Sequence, residues 1–177
     1  MLLFTPLIYN INKRKKIVAK NNVEQFIKVI KRIYWNLYLL REMINLDDKF
    51  IYAKKLSDLG DKIIKISNNF QIINLGEKNI RKLKNQHDNY LKAITEYKEC
   101  KRSFSNIVPP AKVIIEHKKM VDAIQLFIEG TEAMFNSINF DTCSVNKEII
   151  NKGILIKQMG VKTVFRLSDE IEKKLTA

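Results

Sequence analysis

Residues 109–139 read PPAKVIIEHKKMVDAIQLFIEGTEAMFNSIN, and this stretch decides the fold. From Val113 onward, a row of mostly apolar residues recurs at spacings that alternate between four and three, the pattern of a helix that packs lengthwise against other helices. The row comprises Val113, His117, Met120, Ile124, Phe127, Thr131, Met134 and Ile138. A second row lies beside it: Ile114, Val121, Ile128 and Phe135. We therefore expect a helix from Pro109 to Asn139 that needs neighbours on more than one side.

Two stretches before this segment carry similar rows. The first helix is predicted to begin near Asn22 and to use Val23, Phe26, Ile30, Ile33, Leu37, Leu40 and Ile44. The second is predicted to begin after a cap at Asp47 or Asp48 and to use Tyr52, Leu56, Leu59, Ile63, Ile66 and Phe70. Both rows keep the spacing of a helix face that is buried against a neighbour.

Two more helices are predicted around the deciding segment. One starts near Leu75 and follows the row Ile80, Leu83, His87, Tyr90, Ile94, Tyr97, Lys101, Phe104 and Val108. The last is predicted to be capped by Ser144 and to use Ile150, Ile154, Val161, Val164, Ile171 and Leu175. Lys157 and Ser168 interrupt this last row. Gly153 and Gly160 lie seven residues apart on one side, which either permits close approach to another helix or weakens this helix.

The predicted fold class is all-α, because three prolines and five glycines in 177 residues leave few turns. We expect an up-and-down antiparallel bundle of four to five long helices. Its central αα-hairpin is residues 75–139, which turns at Val108 and the two prolines that follow it. The expected domains are an apolar and basic N-terminal strap, residues 1–18, and a single helical bundle, residues 19–177.

The net charge of +13 is unevenly distributed. Residues 1–107 hold 22 of the 32 Lys and Arg residues but only 10 of the 19 Asp and Glu residues. Such a surplus suggests an anionic partner, which would be a nucleic acid, an acidic lipid or another polyanion. AT-rich coding also raises the lysine content and is the preferred explanation. The candidate polyanion-binding residues are Lys13, Arg14, Lys15, Lys16, Lys28, Lys31 and Arg32. Nearby aromatic residues at 34, 35 and 38 are expected to belong mainly to the bundle, with stacking on bases as the alternative.

The sequence contains no pattern typical of a catalytic or metal centre. Glu-x-x-His pairs, HExxH and glycine-rich phosphate loops are absent. If the hairpin turns at Val108–Pro109, Cys100 should face His117 and His87 should face Gly130. A Cys–His dyad is the minor alternative there. The main expectation is that His87, His117 and Thr131 are polar core positions that fix the alignment of the helices. We expect no enzymatic activity, no cofactor and no metal.

The run from Ile107 through Val108-Pro109-Pro110, followed by His117 and an amphipathic stretch to Ile138, resembles uncharacterised small helical proteins of Gram-positive bacteria. Many of those are of the exported or lipoprotein type. The resemblance covers about residues 75–175 and implies a bacterial source and an extracytoplasmic location, with a phage source as the alternative. From the residues alone we expect a cytoplasmic protein, because the apolar start MLLFTPLIY precedes its basic residues, the reverse of a secretory leader.

Three functions are therefore expected, in order of preference. The first is a non-enzymatic interaction protein that binds a protein partner or self-associates. The second is a nucleic-acid or polyanion binder that uses residues 13–41. The third is a peripheral membrane or cell-envelope protein, anchored by Met1–Tyr9 and the basic residues that follow, with no integral membrane span.

Overall fold

A computed structural model describes residues 28, 31, 32, 35, 47–68 and 76–177. Within these residues the chain forms helices α1 (Asp47–Asn68), α2 (Ile80–Ser105), α3 (Ile114–Asn136) and α4 (Lys147–Thr176). A 3-10 turn, Ala111–Val113, leads into α3, and two short strands, β1 (Ile138–Asn139) and β2 (Ser144–Val145), join α3 to α4. The prediction of an all-α protein is confirmed. The predicted strap (1–18), most of the predicted first helix and Phe70 lie outside the described residues.

The apolar rows become the core, as their spacing predicts. All eight residues of the deciding row, from Val113 to Ile138, are buried, and Ile124 and Phe127 are almost fully so. The largest core cluster takes residues from all four helices, and a smaller one combines Leu83, Tyr90 and Met134 with Ile138 and Ile150. Helix α3 packs against both α2 and α4, and its contact with α4 is the broader of the two. Helix α3 therefore joins its neighbours into one packed unit.

Local side-chain chemistry sets the helix ends. The side-chain oxygen of Asn79 accepts hydrogen bonds from the backbone N–H groups of Arg81 and Lys82 and so begins α2. Asn146 does the same for Glu148 and Ile149 at the start of α4. Both ends correct the predictions, because α2 starts five residues after Leu75 and Ser144 is not the cap of α4.

The predicted helix 109–139 is too long at both ends. The 3-10 turn replaces its first residues, and the backbone N–H of Val113 donates to the carbonyl of Pro110 at 2.9 Å. At the other end, the Ser137 hydroxyl donates to the Met134 carbonyl at 2.6 Å. Ile138 then pairs with Val145 in a two-residue β-ribbon. The ribbon reverses the chain, and helix α4 continues without interruption past Gly160.

Candidate functional site

A polar cluster is buried near the N-terminus of α3. The hydroxyl oxygen of Tyr52 on α1 lies 3.3 Å from Nδ1 of His117, and the ring of Phe104 on α2 lies 4.4 Å from the His117 ring between centroids. The neighbouring Glu116 is 5% exposed and forms an ion pair of 2.9 Å with Lys174 near the end of α4. All four helices therefore contribute to this cluster.

Burial and charge set the protonation states of the cluster. Burial lowers the pKa of His117, so its ring is neutral at pH 7. Burial, and then the nearby Glu116 charge, raises the pKa of Tyr52. The hydrogen bond from Lys174 is the main reason that the pKa of Glu116 is lowered. A neutral imidazole, a protonated phenol and a paired carboxylate suit a structural network rather than nucleophilic chemistry.

One carboxylate oxygen of this cluster has no partner in the part of the chain that the structure describes. Oε1 of Glu116 takes the bond from Lys174, whereas Oε2 has no hydrogen-bond partner among the described residues. Only 5% of Glu116 is exposed, and the ion pair with Lys174 offsets part of the electrostatic cost of burying the carboxylate.

A second polar residue within the packed helices is Lys157 on α4. Its ammonium nitrogen lies 5.7 Å from the centroid of the Tyr97 ring, and the Tyr97 hydroxyl lies 2.9 Å from the Ser67 hydroxyl. Its aliphatic stem lies against Gly130, where a methyl group would clash with it. Desolvation lowers the pKa of Lys157 to about 7. Lys157, which interrupts the apolar row of α4, is therefore a half-buried side chain whose stem packs on α3.

The predicted polyanion-binding residues fall into two groups. Residues 13–16 lie outside the described residues. Lys28, Lys31 and Arg32 are helical and exposed. Arg32 forms an ion pair with Glu172 at 2.8 Å and lies 3.7 Å from Asp169, so α4 already supplies anions to its guanidinium group.

The predicted polar core positions differ in their surroundings. The ring of His87 stacks on Phe135 with centroids 3.9 Å apart and meets the edge of Phe140 at 5.0 Å. Its side chain remains partly exposed. Thr131 is fully buried, and its hydroxyl donates to the Phe127 carbonyl at 2.7 Å. His117 lies in the polar cluster, and whether these residues fix the alignment of the helices stays a prediction.

The predicted pairing of α2 with α3 is wrong by about one helical turn. His117 contacts Phe104 rather than Cys100, and His87 contacts Phe135 rather than the neighbourhood of Gly130. The reason is that α2 ends at Ser105 and α3 starts only at Ile114, so the link is longer than a turn at Val108–Pro109 assumes. Burial also raises the pKa of the Cys100 thiol, which is opposite to what an activated cysteine needs.

Two exposed apolar sites are absent from the predictions. Val108, expected on the buried row of α2, is 88% exposed, and Ile115 near the start of α3 is 61% exposed. On the outer face of α4, Leu155 and Met159 are 60% and 59% exposed. The sequence shows four Val and Ile residues within 108–115 beside four basic residues within 102–119. Only the positions of the helix ends determine which of these side chains face solvent.

Other kinds of site find no support in the part of the chain that the structure describes. Its His, Cys, Asp and Glu side chains form no group of three or more that could hold a metal ion. None of its helices combines the length and the apolar character that a bilayer crossing requires. Comparisons of the chain with protein-family models, curated proteins and solved structures give no match.

Proposed function

We propose that this protein is a non-enzymatic interaction protein that self-associates through the outer face of α4. Leu155 and Met159 are one helical turn apart and both largely exposed, and this observation carries the proposal. Large apolar side chains that are adjacent on a helix surface favour contact with another apolar surface. The titratable residues of the buried cluster are used to hold helices together, which fits a binding role better than catalysis.

The scaffold we propose is an up-and-down antiparallel bundle of four to five helices around the hairpin 75–139. Contacts along α2 and α3 support antiparallel order, because residues 104, 97 and 87 meet residues 117, 127 and 135 in turn. Exposed helical residues at 28, 31, 32 and 35 support a further helix before α1. Residues 1–18 remain a separate strap in this proposal, and a cytoplasmic location remains the expectation.

Self-association is tested by measuring mass against concentration. Sedimentation equilibrium of the wild type from about 10 to 500 µM should show an increase in mean mass, as expected of a small interface. Leu155→Asn combined with Met159→Gln should abolish it. Leu91→Asn on α2 removes a similarly exposed apolar side chain and serves as the control. A wild type that stays monomeric throughout contradicts the proposal.

The absence of catalysis is tested separately. In a broad screen of hydrolase substrates, no turnover should depend on Cys100 or His117. Activity that disappears in Cys100→Ala or in His117→Gln, with the far-UV circular dichroism unchanged, would establish an enzyme and overturn the proposal.

Polyanion binding through residues 13–41 is the second candidate. Lys28, Lys31 and Trp35 are exposed at helical spacings of three and four, which places basic groups beside an aromatic ring. Retention on heparin and on single-stranded DNA should fall steeply with salt, because phosphate contacts release counterions. Replacing residues 13–16 with Ser, or Lys28 and Lys31 with Ser, should flatten this dependence. Unchanged retention in both variants excludes this site.

A further inference from the structure

The link between α2 and α3 exposes apolar side chains at one end of the bundle. Val108 lies in the link, and Ile114 and Ile115 lie in the first turn of α3. Ile107 and Val113, by contrast, turn inward and pack on the core. Since the inward residues anchor the link on either side, Val108 cannot enter the core without displacing one of them. The exposure is therefore built into the link.

The backbone of the link limits its freedom. Pro109 and Pro110 fix two consecutive φ angles. The hydrogen bond from the Val113 N–H to the Pro110 carbonyl closes the 3-10 turn that follows. A pre-ordered link loses little conformational entropy when its side chains enter another phase.

Basic side chains surround these apolar residues. Arg102, Lys112, Lys118 and Lys119 are all exposed. Lys112 precedes Ile115 by three residues, and Lys118 and Lys119 follow it by three and four, so they are its neighbours on the helical surface. The single acidic residue between 101 and 119 is Glu116, which is buried and paired with Lys174.

The neighbouring helices add little opposing charge at this end. Lys173 and Lys174 in the last turn of α4 are exposed, and Lys174 reaches Glu116. The nearest acidic residues of α4 are engaged elsewhere: Asp169 and Glu172 lie beside Arg32, and Glu170 binds Arg166. On α1, exposed Asp48 stands beside Lys49, which donates to the Leu175 carbonyl. Exposed Glu99 on α2 and exposed Asp122 on α3 lie one helical turn from Arg102 and from Lys118 and Lys119. Against these acidic residues and Asp48 stand six exposed basic residues, so the exposed charge around the link is mainly positive.

We propose that this apolar and basic end of the bundle, formed by Val108, Ile114, Ile115 and the surrounding lysines, docks on an anionic membrane surface. Aliphatic side chains gain free energy in the interfacial layer of a bilayer, and lysines gain from anionic headgroups. A nucleic acid would use the lysines but offers no apolar phase to Val and Ile, which do not stack on bases. This surface is separate from the Leu155–Met159 face and from residues 13–41.

Vesicle flotation of the full chain tests the proposal. The probes are vesicles of phosphatidylcholine alone and of phosphatidylcholine with about 30% phosphatidylserine, and binding should require the anionic lipid. Val108→Ser with Ile115→Ser should weaken partitioning about tenfold, because aliphatic groups no longer enter the interface. Val108→Trp should strengthen it, since Trp favours the interface.

A second variant tests the charge contribution by replacing Lys112, Lys118 and Lys119 with Ser. Each lysine near an anionic surface contributes about a fivefold change in partitioning, so at least about a tenfold loss is expected. The matched control replaces Lys78, Arg81 and Lys84, which are exposed near the start of α2, with Ser. For the apolar arm, Leu91→Ser with Ile51→Ser is the control, because both side chains are exposed and lie outside the link and the Leu155–Met159 face. Neither control should change vesicle binding more than about twofold.

Each outcome decides for or against membrane docking. Loss in both link variants but in neither control supports it. Unchanged binding in the link variants overturns it, because residues 1–18, present in all variants, would then carry any vesicle binding. The lysine variant could lose binding to duplex DNA and to vesicles equally, while the Val108→Ser, Ile115→Ser variant keeps both. The site would then be a polyanion site, and the proposal would be wrong. Circular dichroism must show that each variant is folded.

Discussion

Close contact between α3 and α4 at Gly130 and Gly153 gives the sharpest test of the packing. A Cβ atom on Gly153 would lie 2.5 Å from the carbonyl oxygen of Gly130 and 2.8 Å from Cγ of Met134. A Cβ atom on Gly130 would lie 2.7 Å from the carbonyl oxygen of Gly153. Ordinary contact begins at 3.4 Å, so a methyl group at either position needs the two backbones to separate.

Two opposing effects decide the outcome of Gly153→Ala. Alanine in a helix interior is favoured over glycine by about 1 kcal/mol. Against this, overpacking costs about 1–3 kcal/mol, and separating the helices also weakens dispersion contacts along their whole interface. The clashing atom is backbone and cannot rotate away, so the cost should be at the upper end. We expect Gly153→Ala to lower the free energy of unfolding by about 2 kcal/mol, and Gly130→Ala to act similarly.

Gly160→Ala is the matched control on the same helix. A Cβ atom there would meet Cε2 of Phe127 at 3.1 Å and Cβ of Leu126 at 3.2 Å, so the neighbours need to move by only a few tenths of an ångström. The gain in helix propensity should then roughly offset the crowding, leaving stability within about 0.5 kcal/mol of the wild type. Urea unfolding followed by circular dichroism at 222 nm gives all values. If Gly153→Ala is as stable as the wild type at an equal m-value, the close approach of α3 and α4 is wrong.

Three further predictions concern the polar residues of the bundle. Between pH 7 and about 10.5, unfolded wild type keeps the Lys157 proton that the folded state has lost, so the wild type should gain stability by up to about 1.4 kcal/mol per pH unit. The Lys157→Met variant should lack this pH dependence and should be more stable than the wild type at pH 6. Equal slopes in both proteins would show that Lys157 is not desolvated. Lys174→Met should lower the free energy of unfolding by about 1 kcal/mol at pH 7, because it leaves Glu116 unpaired. This difference should vanish as the pH falls below 4.5 and then through the lowered pKa that Glu116 has in the folded state. A difference that persists at pH 2 would refute the role of the ion pair. Tyr52→Phe should cost about 1 kcal/mol by removing the hydrogen bond to His117, and no loss in urea unfolding would contradict that contact.

The buried rows were predictable because helix periodicity depends only on local spacing. The eight residues from Val113 to Ile138 needed no knowledge of their neighbours, and the rows of α1 and α2 are buried at most of their predicted positions. Phe104 and Tyr97 are fully buried as expected. The periodicity also explains why His117 and Thr131 could be placed in the core before their partners were known.

The parts of the fold that the sequence did not predict depend on where the helices end. The end of α2 at Ser105 moves Val108 into a link and shifts His117 by a turn relative to α2, and no periodic pattern encodes that end. Gly130 of α3 contacts Gly153 of α4. The position of each glycine in the apolar pattern of its own helix does not indicate that the two will meet. Exposed residues such as Val108 are recognised only after the core is assembled, so candidate contact surfaces depend on the tertiary structure.

Helix α3, which follows the double proline, packs against both α2 and α4 and should therefore be the most protected of the described helices. Native-state hydrogen exchange measures this directly, because backbone amides in the most protected unit open only on global unfolding. Amides from Met120 to Thr131 should exchange slowest in the described part of the chain, with opening free energies equal to the free energy of unfolding from urea. Faster exchange there than in the middle of α1 would contradict the claim.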